Sequence, residues 1–226
     1  MRTFTTTALA LTLVAGTFAA APHAADAATL TSADQPTFTG DAATRFRSFN
    51  NTGGQEVYVG SGNLGSPSNR NAAEYNWAPG SYDFSFTVDL ANDVLTTTLP
   101  GLAPLTRAFT SDDAINAFRI SVVDRDANGE VWLSDLSVNG ESLGDVTDAN
   151  DEGFQTFFVT GLASASTYSV TGTLNLSGSF GNSQERSKLD IVAGATDLPP
   201  VPVPAALPLL LAGLGGIAAL GRRKAA

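Results

Sequence analysis

The chain has 226 residues, a formal net charge of −10, no cysteine and a single histidine. Without cysteine there is no disulfide framework, so the fold must rest on burial and hydrogen bonds. The acidic balance speaks against nucleic-acid binding, which needs clustered basic residues.

Residues 1–27 read as a secretory signal peptide. Arg2 supplies the basic start, Ala8 to Ala21 the apolar stretch, and Ala25-Asp26-Ala27 the small-residue cleavage site. The lone histidine, His23, lies inside this segment, so the body has neither His nor Cys. That excludes Ser–His and Cys–His nucleophilic catalysis, His- or Cys-ligated zinc, haem and iron–sulfur centres. Carboxylate chemistry, oxygen-ligated cations and the body's one lysine, Lys188, remain. Between residues 28 and 200 there are 8 Lys+Arg against 21 Asp+Glu, and 8 − 21 gives −13. Such a charge suits an extracellular surface and divalent cations.

The body, residues 28–197, reads as one all-β domain. Short β-branched or aromatic runs alternate with Gly/Asn/Asp/Ser clusters, and no helical period is sustained. Residues 40–71 read as loop-rich, with one or two short strands. Ser81 to Leu90 alternates apolar and polar without a break, and Asn92-Asp93 turns it back into Val94–Leu99. Leu99 to Asp113 is broken by Pro and Gly, and a short helical turn is expected near Ser111–Ala117. Next comes an expected hairpin, with Phe118 opposite Val138, Ile120 opposite Leu136, and Gly129 left-handed in a three-residue loop. Asn139-Gly140 starts another tight turn. Phe154–Val159, Thr167–Leu176 and Lys188–Ala193 complete the set, with Tyr168, Val170, Leu174 and Leu176 alternating around Gly172. Eight to ten strands of this kind predict an antiparallel two-sheet sandwich, jelly-roll-like in its wrapping. No internal repeat is apparent.

Three groups of side chains bear on function. Asp124-Arg125-Asp126-Ala127-Asn128-Gly129 through Asp135 carries oxygens at the spacing of a calcium loop. The strand-like flanks conflict with that reading. In an extended strand Asp135 lies roughly 20 Å from Gly129, too far to share an ion with Asp124. The reading compatible with a hairpin is a weak Ca²⁺ site at its tip from Asp124, Asp126, Asn128 and Glu130. Its alternative is a solvated turn, as for Asp145 to Glu152. Tyr75, Trp77 and Trp132 form either a sugar-stacking platform or core. Asp112, Asp113 and Glu141 offer carboxylates for a glycosidase pair, with nothing to fix their separation. No catalytic motif stands out, and an enzyme is not expected.

The tail, residues 198–226, is the most specific segment. Prolines at 199, 200, 202, 204 and 208 keep the approach extended. Ala205 to Gly221 carries no charge and reads as a helix about 25 Å long, slightly short of the ~30 Å hydrocarbon core. Arg222-Arg223-Lys224 forms a basic stop that would stay cytoplasmic. A plain membrane anchor is one reading. The motif Val201-Pro202-Val203-Pro204-Ala205, with the apolar run and basic end, resembles the VPLPA-CTERM sorting domain, a PEP-CTERM variant of Gram-negative bacteria. Val203 stands where that family usually has Leu. The resemblance covers about an eighth of the chain. It implies recognition by an exosortase-type protease, membrane insertion, and delivery to the cell surface or extracellular matrix. The body has a loose likeness to the "choice-of-anchor" domains of such proteins, which implies no activity. A structural or adhesive protein is therefore expected, with an exopolysaccharide-binding module as the alternative and a glycoside hydrolase third.

Overall fold

In the computed structural model, the residues described are 29–31, 37–49, 56–62, 64–111, 115–125, 128–146, 153–181 and 187–197. Thirteen strands run through them: β1 Thr29–Thr31, β2 Phe38–Arg47, β3 Val57–Ser61, β4 Arg70–Ala73, β5 Gly80–Asp89, β6 Val94–Leu99, β7 Leu102–Ala108, β8 Ala117–Asp124, β9 Gly129–Val138, β10 Glu141–Val146, β11 Gln155–Thr160, β12 Thr167–Gly178 and β13 Ser187–Thr196. The one helical element among them is a 3₁₀ turn at Pro67–Asn69. All pairings are antiparallel. One sheet has the order β1-β11-β8-β13-β2-β3-β4 and the other β10-β9-β12-β5-β6-β7.

The alternating strands behave as their sequence requires. Phe84, Phe86 and Val88 of β5 point inward, as do Tyr168, Val170, Leu174 and Leu176 of β12. Gly172 fits between them because a Cβ there would sit 3.2 Å from the Phe84 ring. These side chains meet Phe46, Phe118, Ile120, Leu189 and Ile191 of the opposite sheet in one core. Two threonines link the sheets within it: Thr97 donates to Thr44 at 2.8 Å, and Thr44 donates to the Tyr58 carbonyl at 2.8 Å.

The structure corrects four expectations. β8 and β9 do not form a hairpin. β8 pairs with β11 and β13, whereas β9 pairs with β10 and β12 in the other sheet. Phe118, Ile120, Leu136 and Val138 do point into one core, but across it. Gly129 is not left-handed; it lies under the Phe180 ring, where a Cβ would be 2.6 Å from ring carbon. Residues 40–71 are richer in strand than expected, because β2 presents Ala42 and Thr44 inward, small and polar residues that hide its alternation. Residues 102–108 form β7 in place of irregular chain, with Pro104 tolerated on a sheet edge. Asn139 and Gly140, with φ 54° and 82°, make the expected tight turn between β9 and β10.

β9 also contains a bulge. Thr171 faces Ser137 and Thr173 faces Ser134, so two residues of β9 oppose Gly172. Asp135 takes φ 53° there, and its N–H donates to Asp145 at 3.1 Å. The bulge resets the alternation: Val131 and Leu133 face inward before it, Leu136 and Val138 after it.

The sandwich has two poles. Thr29 lies opposite Thr160, and Thr196 opposite Phe38, so the described chain starts and ends at one pole. The end of β2 and start of β3, the end of β8 and start of β9, the end of β10 and start of β11, and the end of β12 and start of β13 lie toward the other, about 30 Å away along the ten residues of β13.

Candidate functional site

Trp77 sits at the far pole in the stretch between β4 and β5. It is buried, and its ring meets Tyr75, Phe49, Tyr82 and Phe46 at centroid distances of 4.5, 5.0, 5.2 and 6.3 Å. Tyr75 and Tyr82 turn their hydroxyls to backbone, to the Pro100 carbonyl at 2.7 Å and the Ala78 carbonyl at 2.7 Å. Trp77 is thus part of the core and presents no stacking face to solvent. Trp132 is different. It is half-buried on the outer face of the second sheet, opposite Asn175 of β12. The structure does not join the two tryptophans into one platform.

Close by in the β2–β3–β4 ladder, Glu56 is 1% exposed. Burial raises its pKa; the Tyr75 backbone N–H lowers it, Glu74 raises it and Arg47 lowers it, each less strongly. Its Oε1, the Ser48 hydroxyl and the Trp77 indole nitrogen are buried without a hydrogen-bond partner among the described residues. The loop residues flanking this pole give no local pattern that marks Glu56 as buried in the sequence.

At the β8–β9 crossover, the Asp124 carboxylate accepts the Val131 N–H at 3.0 Å, tying one sheet to the other. Glu130 accepts the Ser177 hydroxyl at 3.0 Å. Asn128 is exposed, and its carbonyl accepts the Ser179 N–H at 2.7 Å. Asp126 lies outside the described residues. Among the described residues no three His, Cys, Asp or Glu side chains converge on a metal position. Asp135 is held in β9 by its bulge, so it does not close a twelve-residue loop with Asp124. Of the glycosidase carboxylates, Glu141 is exposed at the start of β10, and Asp112 and Asp113 lie outside the described residues. So do residues 1–27, expected to be a signal peptide, Val201 to Ala205, the apolar run and Arg222-Arg223-Lys224.

The two outer faces differ in chemistry. On the first sheet, alternation places Arg45, Arg47, Arg70, Arg119 and Lys188 outward. Arg45 grips Asp190 through Nε at 2.5 Å and Nη2 at 3.0 Å. Arg47 and Arg70 lie over the Tyr58 ring, 4.7 and 4.1 Å from its centroid, and Arg70 also donates to the Leu64 carbonyl. Lys188 stands directly opposite Arg47 in the ladder. Arg119 lies over Phe38, 5.4 Å from its centroid. The second sheet faces outward with Ser, Thr and carboxylates. Thr173 donates to Asp83 at 2.8 Å, Ser81 to Asn175 at 2.7 Å, Asn175 to Ser134 at 3.0 Å, and Ser85 and Thr98 share a bond of 2.7 Å. The described part of this face bears no basic side chain. Arg107, on edge strand β7, turns to Asn71 and Ser68 at the first sheet's side.

Fold and faces together define an all-β, antiparallel two-sheet sandwich. No protein-family model matches the chain, and no curated protein matches it either.

Proposed function

We propose that this is a non-enzymatic secreted protein, sorted to the cell surface or extracellular matrix by an exosortase-type protease acting at Val201 to Ala205, with a structural or adhesive role. The signal peptide directs export, and the apolar run with its basic stop holds the chain in the membrane until, or unless, it is processed. The observation that carries this reading is the placement of the chain ends. The sandwich is entered at Thr29 and left at Asp197 on one pole, where Asp197 N–H still reaches the Thr37 carbonyl at 3.4 Å. A tail continuing from there tethers the domain by that pole and presents the other outward. The outward pole carries Phe154, which at 51% is the one large apolar side chain exposed among the described residues. The jelly-roll likeness belongs to the same proposal, supported by β11, β12 and β13 alternating between the sheets. Mass spectrometry of the surface-exposed protein tests the sorting. An N-terminus near Ala28 and no peptide beyond about Ala205 is expected. Recovery of intact Arg222-Arg223-Lys224 leaves a plain anchor.

A second reading, an exopolysaccharide-binding module, is favoured by Trp132. An indole partly exposed on a face of hydroxyls suits stacking against a sugar ring. A polysaccharide array decides: saturable binding lost in Trp132→Ala supports the module. Hydrolysis by the purified protein would revive the glycosidase reading. The minor alternative of a weak Ca²⁺ site at Asp124, Asp126, Asn128 and Glu130 rests on the sequence spacing alone, and two of its four carriers are engaged by protein donors.

A further inference from the structure

The chain contains two Asn-Gly pairs, Asn128-Gly129 and Asn139-Gly140, and each is followed by Glu. Asparagine is chemically labile, most of all before glycine, which puts no side chain in the way of its own nitrogen. That nitrogen attacks the Asn Cγ and gives up its proton. The side-chain nitrogen leaves as ammonia, and a five-membered succinimide ring forms. Water then opens the ring at either carbonyl. One opening gives Asp. The other gives isoaspartate, in which the backbone runs through the former side chain and is one methylene longer. The reaction needs no enzyme, oxidant or cofactor.

In an unfolded chain the two pairs are nearly equivalent, since each reads Asn-Gly-Glu. The fold makes them different. We infer that Asn128 is a site of spontaneous deamidation and isoaspartate formation in the folded protein, and that Asn139 is protected by its turn. This goes beyond the sorting reading and does not depend on it.

Asn139 has φ 54°, a left-handed backbone, and in that region ψ is also positive, about +30 to +60°. The Gly140 nitrogen then lies anti to the Asn139 Cβ across the Cα–C bond. Ring closure needs it on the same side as Cβ, so the turn holds the reacting atoms apart. Rotation would also open the β9–β10 hairpin, because Glu141 pairs with Val138 directly across the turn. The carboxamide is held as well. Its Oδ1 accepts the Ser169 N–H at 2.9 Å, and the Asn139 N–H donates to the Ser169 carbonyl at 2.8 Å.

Asn128 differs in each respect. It is not left-handed, so its backbone starts nearer the ring geometry. It is exposed, and among the described residues no group bonds to its carboxamide. One bond opposes cyclisation, from the Ser179 N–H to the Asn128 carbonyl at 2.7 Å. That bond sits at the first rung of β9, and strand ends open more readily than strand interiors. It also fixes the ladder: Asn128 and Ser179 form a hydrogen-bonded pair, so Gly129, next along, turns its N–H away from β12. The attacking nitrogen is therefore not tied to that strand. The product alters the crossover. Gly129 lies under Phe180, where a Cβ would be 2.6 Å from ring carbon, and an extra methylene ahead of it displaces this packing. The new carboxylate joins Asp124 and Glu130 in the same connection.

The test needs no variant. The full chain, in a non-ionic detergent that shields the tail, is held at one mildly alkaline pH and one temperature, folded in one portion and unfolded in concentrated urea in the other. Samples taken over time are digested with pepsin at low pH, where further cyclisation is slow. Mass spectrometry follows the amide-to-acid mass gain separately in the peptides that hold Asn128 and Asn139. Electron-transfer fragmentation distinguishes isoaspartate from Asp. Circular dichroism confirms that the folded portion stays folded. In urea the two sites should convert at similar rates. In the folded protein Asn128 should convert at least about tenfold faster than Asn139, a difference of about 1.4 kcal/mol in barrier, with isoaspartate among its products. A smaller ratio in the folded protein overturns the inference, as does a faster Asn139. So does an Asn128 slowed by about tenfold or more relative to urea, since the crossover would then protect it too.

Discussion

Replacing Glu56 by Gln tests the reading of the far pole. The residue is 1% exposed, and its Oε1 finds no donor among the described residues. Burial is the largest influence and raises its pKa, so the folded protein holds a proton there more tightly than the unfolded chain. The direction of the stability effect follows. The contribution is fully present below the unfolded value, near 4.5, and is lost as pH rises through the raised folded value. A group of this kind changes stability by at most about 1.4 kcal/mol for each pH unit between the two values. Gln keeps the shape and the acceptor for the Tyr75 N–H but cannot ionise. An ionised, half-satisfied buried group costs about 1–3 kcal/mol. Glu56→Gln should therefore raise stability by about 1 kcal/mol at pH 7.5, or roughly 2–4 °C in melting temperature for a domain of this size. At pH 4 the two proteins should melt together. The assay is the difference in melting temperature between variant and parent from pH 4 to 8, which cancels the titration of the surface carboxylates. A difference that is constant with pH, or that turns against Gln as pH rises, refutes the argument.

The tryptophans should separate cleanly. Trp77→Ala removes the centre of an aromatic cluster and should cost about 3–5 kcal/mol, lowering the melting temperature by roughly 10 °C. Trp132→Ala should cost less than half as much, and equal losses would contradict their placement. A melt with calcium against chelator should show no shift, since Asp124 and Glu130 are held by Val131 and Ser177. At ten times a millimolar dissociation constant an ion would add about 1.4 kcal/mol, which the melt would resolve. A shift abolished by Asp126→Ala would support the site instead.

The sequence by itself determined the class of fold, the identity of most strands and the chemistry that is excluded. Strand alternation is local: the period of two in residues 81–89 and 167–176 is set by which side chains must leave water, whatever the neighbour. The turn at Asn139-Gly140 is equally local, because left-handed backbone there favours these two residues. The address proposed for the tail rests on composition and motif and needs no fold. What the sequence left open was partnership. β8 and β9 each bear one apolar face, and that pattern is satisfied whether they lie side by side or face each other across a core. The hairpin and the crossover therefore look alike in the sequence. Only the pairing of β8 with β11 and β13, residues far along the chain, decides between them. β2 was obscured for a related reason. Its inward Thr44 is acceptable only because Thr97 and the Tyr58 carbonyl meet it inside the core. The burial of Trp77 and Glu56, and the gathering of Arg47, Arg70 and Lys188 on one face, are likewise consequences of assembly. Each of these residues is ordinary in its own strand or loop. Their common setting arises when strands distant in sequence are laid side by side, and no local pattern encodes that distance.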